Sequence, residues 1–133
     1  MTATVDVPIT LDVLGRASYV LLTTFRKTGA PVSTPVWVMR SGDELLVWSN
    51  PAAGKIKRIR NSDRVELAPC TVRGKPLGRS IDAVARLLSD EETRSMLRLL
   101  VRKYGVRGFF TTLGPRYFGA ASAGIGLTIP AGE

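Results

Sequence analysis

A group of four cations within one short stretch is the clearest sign of chemistry in this sequence. The cations interleave with Ile56 and Ile59, whose i, i+3 spacing predicts a short helix with the isoleucines packed inward. The unpaired N–H groups and partial positive charge at a helix N-terminus favour a phosphate there, and Ser49 would add a donor. An ordinary solvated helix face is the alternative. The four cations are Lys55, Lys57, Arg58 and Arg60.

The overall charge also favours an anionic partner. The chain has 133 residues and a formal net charge of +8. This charge favours a phosphorylated cofactor, a nucleic acid or an acidic membrane surface, and does not choose among them. The length predicts one domain over residues 1–133. Because no apolar run is long enough to span a membrane and residues 1–8 lack the features of a secretion signal, we expect a cytoplasmic protein.

The residue types that the sequence lacks narrow the possible chemistry. There is no histidine, which removes the commonest general base and the commonest metal ligand. The one cysteine, Cys70, lies in an apolar stretch and is expected to be a buried thiol. The clustered carboxylates at 43–44 and 90–92 have structural explanations as a hairpin turn and a helix start. We therefore expect no metal site, identify no catalytic side chain, and expect a cofactor to supply any reactive chemistry.

The first half of the chain predicts a helix and a series of strands. Thr10 can cap a short helix that ends near residue 17 and closes one end of a barrel. Strands are predicted at 19–26 and 31–40, around a tight turn. Pro35 within the second strand indicates a sheet edge with open backbone groups at 33–37, because proline has no N–H. Further strands are predicted at 44–49, 64–72 and 78–88.

The second half predicts the longest helix and one more strand. Ser89 and Glu92 form a capping box that opens a helix over 90–104, which Gly105 ends. An aromatic loop is predicted at 106–118, a small and flexible stretch at 120–126, and a final short strand at 125–130. Short connections between consecutive strands favour an antiparallel arrangement. The sequence therefore predicts a mainly β (α+β) fold, an antiparallel barrel of about six strands with one short basic helix and one longer helix.

Three motifs resemble the split-barrel flavin- and deazaflavin-binding superfamily that includes pyridoxamine 5'-phosphate oxidase. The first is TTFRKTG at 23–29 followed by PVSTPVW at 31–37, which is similar to the first hairpin of the family. The second is Ser49 with KIKRIRNSDRV at 55–65, which resembles the phosphate-binding segment. The third runs from 78 to 87 and is similar to the fifth strand. The resemblance covers about residues 10–130 and implies an FMN-binding split-barrel fold.

Within this superfamily the chain looks most like the small actinobacterial branch that uses coenzyme F-420, a deazaflavin. The resemblance implies a homodimer with two cofactor sites where the barrels meet. It implies that Lys55, Lys57 and Arg58 hold the cofactor phosphate. With Arg60 they supply more charge than one phosphate requires, which suits the oligoglutamate tail of F-420. It also implies that the ring system lies beside Ser33, Thr34, Pro35, Val36 and Trp37.

The resulting functional hypothesis is an oxidoreductase in which reduced F-420 donates a hydride to an unsaturated organic acceptor. Tyr104, Tyr117 and Arg26 are the side chains that we nominate as proton donors near the acceptor. FMN is the alternative cofactor, and a carrier protein that binds F-420 without turnover is the alternative function. Nucleic-acid binding is a third reading, disfavoured because Trp37 and Trp48 lie in apolar strands and no stacking platform accompanies the cations.

Overall fold

Seven strands form one antiparallel sheet in the computed structural model, which describes residues 10–112 and 122–130. The order across the sheet is β2-β1-β5-β6-β7-β4-β3. The strands are β1 (Val20–Phe25), β2 (Pro31–Val36), β3 (Val38–Ser41), β4 (Glu44–Ser49), β5 (Arg64–Pro69), β6 (Ile81–Leu87) and β7 (Ala123–Thr128).

The sheet curls into a split barrel because its two edge strands are consecutive in the chain. β2 and β3 lie at opposite ends of the order, yet only Trp37 separates them. The predicted strand over 31–40 is therefore two strands, which raises the count from about six to seven. The antiparallel barrel itself is confirmed, and so is the position of Pro35 on an edge strand.

Three helices accompany the sheet: α1 (Leu11–Arg16), α2 (Gly54–Asn61) and α3 (Asp90–Thr112). The hydroxyl of Thr10 accepts a hydrogen bond from the amide of Val13 at 3.2 Å, as expected for a helix cap. The capping box of α3 is also present: the amide of Glu92 donates to Ser89 Oγ at 3.1 Å, and the amide of Ser89 donates to Glu92 Oε1 at 2.9 Å. No helix within the described ranges is long and apolar enough to cross a membrane.

The buried side chains form two clusters, one on each side of the sheet. The inner cluster fills the barrel, and Leu14 of α1 and the isoleucines of α2 belong to it, as the sequence predicts. In the outer cluster, α3 packs against β3 and β4. Side chains alternate between the two sides of the sheet along β4. Leu45 and Val47 lie in the inner cluster, and Leu46 and Trp48 lie in the outer one. The main residues of the outer cluster are Met39, Leu46, Met96 and Leu100.

The prediction of a loop from residue 106 is wrong over its first part. The helical segment continues to Thr112, after an interruption at Gly105 with φ 77° and ψ −176°. Glycine can adopt this positive φ without steric cost. The helix is therefore interrupted at Gly105, and a second helical segment follows it. Residues 113–118 of the predicted loop lie outside the described ranges.

Other predicted strand boundaries also change. β5 ends at Pro69 because a turn closed by the bond from the Thr71 amide to the Lys75 carbonyl follows it, and β6 begins at Ile81. β7 begins at Ala123, within the stretch predicted to be flexible, and pairs with both β4 and β6. Close packing explains its small residues, since a Cβ on Gly124 would lie 2.5 Å from Leu88 Cδ1.

Candidate functional site

One flank of α2 carries two half-buried cations next to β1. Arg58 Nε donates a hydrogen bond to Thr24 Oγ1 at 2.6 Å, and Thr24 is only 1% exposed. Lys55 lies three residues earlier in the helix and therefore on the same flank. Gly54 leaves room for the guanidinium, because a Cβ at this position would lie 2.7 Å from Arg58 Nη1. Neither cation has a carboxylate partner among the residues that the structure describes.

The electrostatic state of these two cations favours an anion. Burial lowers the pKa of the Lys55 amino group, and the charge of Arg58 lowers it further. Burial likewise lowers the pKa of the Arg58 guanidinium, and the charge of Arg26 adds to this effect. Both groups have lost water and both face another positive charge. A bound anion would compensate for the lost hydration and for the repulsion at the same time.

The other two predicted cations lie elsewhere on α2. At 3.6 residues per turn, Lys57 and Arg60 project from the opposite flank of the helix, and both are exposed. The structure therefore brings Lys55 and Arg58 together, and does not add Lys57 and Arg60 to the same cluster. These two remain predicted contacts for a more extended anionic ligand.

Ser49 supports the turn that leads into α2. Its side chain is 1% exposed, and its hydroxyl donates to the carbonyl oxygen of Asn50 at 3.0 Å. Asn50 in turn accepts a bond from the Ala52 amide at 2.9 Å through its side chain. No side chain caps the start of α2, where Ala53 is the N-cap residue. The first amides of the helix are thus without a side-chain acceptor, as an anion site at a helix N-terminus requires.

The segment predicted to lie beside the cofactor ring forms the edge strand β2. One side of β2 pairs with β1, and in the part of the chain that is described no strand pairs with its other side. Ser33 is exposed and its hydroxyl lies 2.7 Å from that of Thr23, whereas Val36 is buried in the inner cluster. Thr34 is half-buried and Pro35 is exposed. The edge therefore offers backbone groups and small side chains to a ligand.

Trp37 and Tyr104 hold the junction between β2 and β3. Their rings stack with centroids 4.5 Å apart and planes inclined by 10°. The Tyr104 hydroxyl accepts from the Val38 amide at 3.2 Å and donates to the Ser18 carbonyl at 2.8 Å. Burial raises the pKa of Tyr104, which also disfavours its ionisation. Tyr104 was nominated as a proton donor, but its hydroxyl is already bonded to backbone groups.

An open cleft of about 440 Å³ lies between the β1–β2 hairpin and the C-terminal end of α2. We call it the hairpin cleft. Arg26, another nominated donor, lies on it, whereas Tyr117 lies outside the described residues. The sequence analysis nominated Arg26 but predicted no cleft beside it, although the adjacent cations Arg26 and Lys27 in the hairpin were a visible signal. The principal lining residues are Phe25, Arg26, Lys27, Asn61, Ser62 and Arg64.

Several other titratable groups serve the fold. Burial raises the pKa of the Cys70 thiol, which keeps it protonated and agrees with the expected buried cysteine. Arg86 binds Glu44 at 2.7 Å and Glu92 at 2.8 Å, which ties β6 to β4 and to α3. Among the described residues there is no group of three or more acidic, cysteine or histidine side chains that could hold a metal ion.

Comparison with known proteins places this arrangement in a family. The family model described as pyridoxamine 5'-phosphate oxidase matches residues 10–123. No curated protein matches the chain. An F-420 reductase structure is similar with a TM-score of 0.64 and 20% identity, over 94% of this chain and 97% of that one.

Two further solved structures have the same fold. A conserved hypothetical protein from Mycobacterium tuberculosis has a TM-score of 0.62 and 16% identity, over 97% of this chain and 86% of its own. A protein of unknown function from Agrobacterium tumefaciens has a TM-score of 0.67 and 13% identity over 86% of this chain. The present chain spans about half, 49%, of the length of that protein. On the family match, this chain belongs to the pyridoxamine 5'-phosphate oxidase family and has its split-barrel fold.

Proposed function

We propose that this protein is an oxidoreductase that transfers a hydride from reduced coenzyme F-420 to an unsaturated organic acceptor. The observation that carries the proposal is the pair formed by Lys55 and Arg58, two half-buried cations with no acidic partner among the described residues. The family includes oxidoreductases, and one similar structure is that of an F-420 reductase. The residues present suit a phosphorylated deazaflavin.

In this proposal the protein contributes binding and orientation. Lys55 and Arg58 hold the phosphate, and Gly54 leaves the space into which the Arg58 guanidinium folds. The edge of β2 presents its backbone groups to the polar side of the ring. When bound, the cofactor supplies the hydride, and its fixed position next to the acceptor lowers the barrier by removing rotational and translational freedom.

The choice of F-420 over FMN rests on the excess of positive charge. A single phosphate needs only the Lys55 and Arg58 pair, yet this region also contains Lys57, Arg60 and Arg26. An oligoglutamate tail would use this charge, and FMN has no such tail. The net charge of +8 extends the attractive field beyond the site.

Fluorescence titration of the purified protein with both cofactors, at two ionic strengths, tests this choice. We expect F-420 to bind more tightly than FMN, and its affinity to fall as salt rises. FMN binding more tightly at physiological salt, or protein that purifies with stoichiometric FMN, would assign the chain to flavin chemistry instead.

A carrier protein is the second candidate, and the environment of Tyr104 favours it. Its hydroxyl is bonded to the backbone of Ser18 and Val38, so it is poorly placed to donate a proton to a substrate. Turnover separates the two functions. Oxidation of bound reduced F-420 by at least one member of a panel of enones, quinones and tetrapyrroles supports the enzyme, and tight binding without any oxidation supports the carrier.

We also propose that the active form is a homodimer. The large apolar side chains that are exposed among the described residues all lie on β6 or on the connection between β5 and β6. A second copy that covered this region would remove them from water, which is favourable in proportion to the apolar area buried. They are Val72, Leu77 and Val84, at 59%, 64% and 45% exposure.

A further inference from the structure

We propose that the hydroxyl of Ser33 donates the proton to the acceptor, and that Thr23 holds this hydroxyl in position. The inference rests on the proposed function, because it assigns the proton that must follow the hydride onto an unsaturated acceptor. It replaces Tyr104 in this role, since the Tyr104 hydroxyl is bonded to the backbone of Ser18 and Val38.

The direction of the hydrogen bond between the two hydroxyls is the first argument. Thr23 Oγ1 and Ser33 Oγ lie 2.7 Å apart. Thr23 is only 8% exposed, and Ser33 is the one hydrogen-bond partner of its side chain among the residues that the structure describes. An unsatisfied buried donor is costly, whereas the exposed Ser33 can donate to water, so Thr23 donates and Ser33 accepts. The proton of Ser33 can therefore point away from the sheet, towards a ligand.

The same bond makes Ser33 a better proton donor. A hydroxyl that accepts a hydrogen bond is polarised by it and donates more strongly. Once Ser33 has lost its proton, the Thr23 hydroxyl would stabilise the resulting alkoxide through a charge-assisted hydrogen bond. Thr23 thus acts through Ser33 without touching the acceptor, which makes it a positioning residue.

The free edge of β2 keeps the space beside Ser33 open to a small molecule. The hairpin bond from the Arg26 amide to the Ala30 carbonyl fixes which residues of β2 bond to β1, because hydrogen-bonded pairs alternate along antiparallel strands. By this alternation, positions 31, 33 and 35 direct their backbone groups to the free edge. Positions 31 and 35 are prolines, which have no N–H, so an added strand could not pair regularly there.

Consecutive residues of β1 anchor this hydroxyl pair and the proposed phosphate site. Thr24 accepts the bond from Arg58 at 2.6 Å, and the preceding residue, Thr23, holds Ser33. Side chains of consecutive strand residues lie on opposite faces of the sheet. A ligand that extends from Arg58 around the free edge of β2 reaches Ser33 over two interstrand spacings, about 10 Å.

The proposed step balances with water as the final source of the proton. The hydride forms a C–H bond at one end of the acceptor C=C, and the π electron pair moves to the other end as a carbanion that the neighbouring carbonyl stabilises. The O–H bond of Ser33 then breaks while its proton forms the second C–H bond. This transfer is favourable because an alkoxide is a weaker base than a carbanion. A water molecule returns a proton to Ser33, and hydroxide leaves to the solvent.

Oxidation of reduced F-420 by two enones, cyclohexenone and chalcone, tests Ser33 as the donor. Ser33→Ala should lower kcat about a hundredfold, the lower end of general acid catalysis, and leave the KM of the enone and the affinity for F-420 unchanged. The solvent isotope effect on kcat in heavy water should increase, because proton transfer becomes the slow step. Ser33→Thr keeps a hydroxyl and should recover most of the rate. Ser95→Ala, at an exposed position of α3, is the control.

A second set of measurements concerns Thr23. Thr23→Val should lower kcat about fivefold, the scale of one neutral hydrogen bond, and leave the affinity for F-420 unchanged, whereas Thr23→Ser should restore the rate. In the protein without cofactor, the buried hydroxyl proton of Thr23 should exchange slowly with water and give its own proton resonance, with a nuclear Overhauser effect to the Cβ protons of Ser33. This resonance should be absent from Ser33→Ala.

The outcomes separate the proton donor from the proposed function. Unchanged kcat and isotope effect in Ser33→Ala, with reduced F-420 still oxidised, would retain the oxidoreductase and overturn the donor. A slowly exchanging hydroxyl proton at Ser33, or none at Thr23, would overturn it as well. A loss of F-420 affinity that accounts for the whole loss of rate would make Ser33 a binding residue instead. Protein that does not bind F-420, or that binds it and reduces neither enone, would overturn the proposed function and the donor together.

Discussion

Arg58 Nε and Thr24 Oγ1 lie 2.6 Å apart, and this bond joins the basic helix α2 to strand β1. Because the partner is a hydroxyl and not a carboxylate, Arg58 is oriented without being neutralised. The cation keeps its capacity to bind an anion while its position is fixed by a residue that is almost fully buried. Such orientation before binding reduces the conformational entropy that the Arg58 side chain loses when an anion binds.

Replacement of Lys55 by alanine should weaken cofactor binding by about 1.5–3 kcal/mol, the scale of a lost charged hydrogen bond. The fold should be retained, since Lys55 has no hydrogen-bond or ion-pair partner among the described residues. Fluorescence titration gives the affinity, and circular dichroism gives the fold. Arg102→Ala, at an exposed position of α3, is the control. A folded Lys55→Ala protein with unchanged affinity would place the anion elsewhere.

Anion binding should depend on pH through Lys55. Its amino group is most useful when protonated, and its pKa is lowered from 10.5 by burial and by Arg58. Affinity for sulfate, whose charge is constant in this range, should therefore begin to fall at a lower pH than an ordinary lysine would give. The Lys55→Arg variant is the control, because a guanidinium stays charged throughout. A pH profile that is the same in both proteins would contradict a role for Lys55.

Lys103 should stabilise the docking of α3. Its ammonium group donates to the carbonyl oxygens of Gly15, Ala17 and Val38 at 3.0, 2.8 and 2.7 Å. Lys103→Met removes these bonds while keeping the aliphatic stem, and should lower the free energy of unfolding by about 1–2 kcal/mol. Arg102→Met changes an exposed neighbour and should have little effect. Urea denaturation of both variants measures the difference, and equal stabilities would show that the three bonds contribute nothing net.

Acid should destabilise the protein partly through Glu92. Arg86 and the capping bond with Ser89 lower the pKa of its carboxyl from 4.5 to about 2. The folded-state pKa is lower than the unfolded one, so this stabilisation is present above pH 4.5 and is lost as the pH falls towards 2. Glu92→Gln should therefore be less stable than the unmodified protein at neutral pH and converge with it in acid.

The control for this prediction is Glu91→Gln, which changes an exposed carboxyl one position earlier. Its stability should follow the pH profile of the unmodified protein. Denaturant unfolding at several pH values measures both variants, and a stability difference for Glu92→Gln that persists unchanged at the lowest pH would contradict the ion pair as its source.

Dimer formation should depend on the exposed apolar residues of the β5–β6 half. Sedimentation velocity at micromolar concentration should show a dimer for the unmodified protein. Val84→Lys places a charge on the outward face of β6 and should shift the population to monomer, because burying an unpaired charge is costly. Arg94→Lys, on an exposed position of α3, serves as the control. A monomeric unmodified protein would refute the proposed assembly.

Local patterns were sufficient for much of this fold. The isoleucines of α2, the capping box at Ser89 and the edge position of Pro35 each follow from residues within one turn or one strand. The physical causes act over a few residues, so periodicity and the chemistry of single residues reveal them. The position of a cation-rich helix at α2 also follows from this local information, whereas the partial burial of Lys55 and Arg58 does not.

The contacts that these elements make with residues far away in the sequence could not be predicted in the same way. The bond from Arg58 to Thr24 joins residues 34 positions apart, and the stacking of Trp37 on Tyr104 joins residues from β2–β3 and α3. Such pairs depend on how the sheet closes, which no short pattern specifies. The break at Gly105 was visible, but a glycine that ends a helix and a glycine that interrupts one have the same sequence signal.

The two edge strands of the barrel, β2 and β3, are linked covalently through a single residue, Trp37. Since β2 and β3 occupy the two edges of the sheet and are joined only there, proteolytic cleavage at this residue would leave two free edges with no covalent link between them. Unpaired sheet edges recruit strands from other molecules. Cleavage at Trp37 would thus convert the barrel into a template for aggregation, whereas cleavage in the hairpin turn before β2 would leave this link intact.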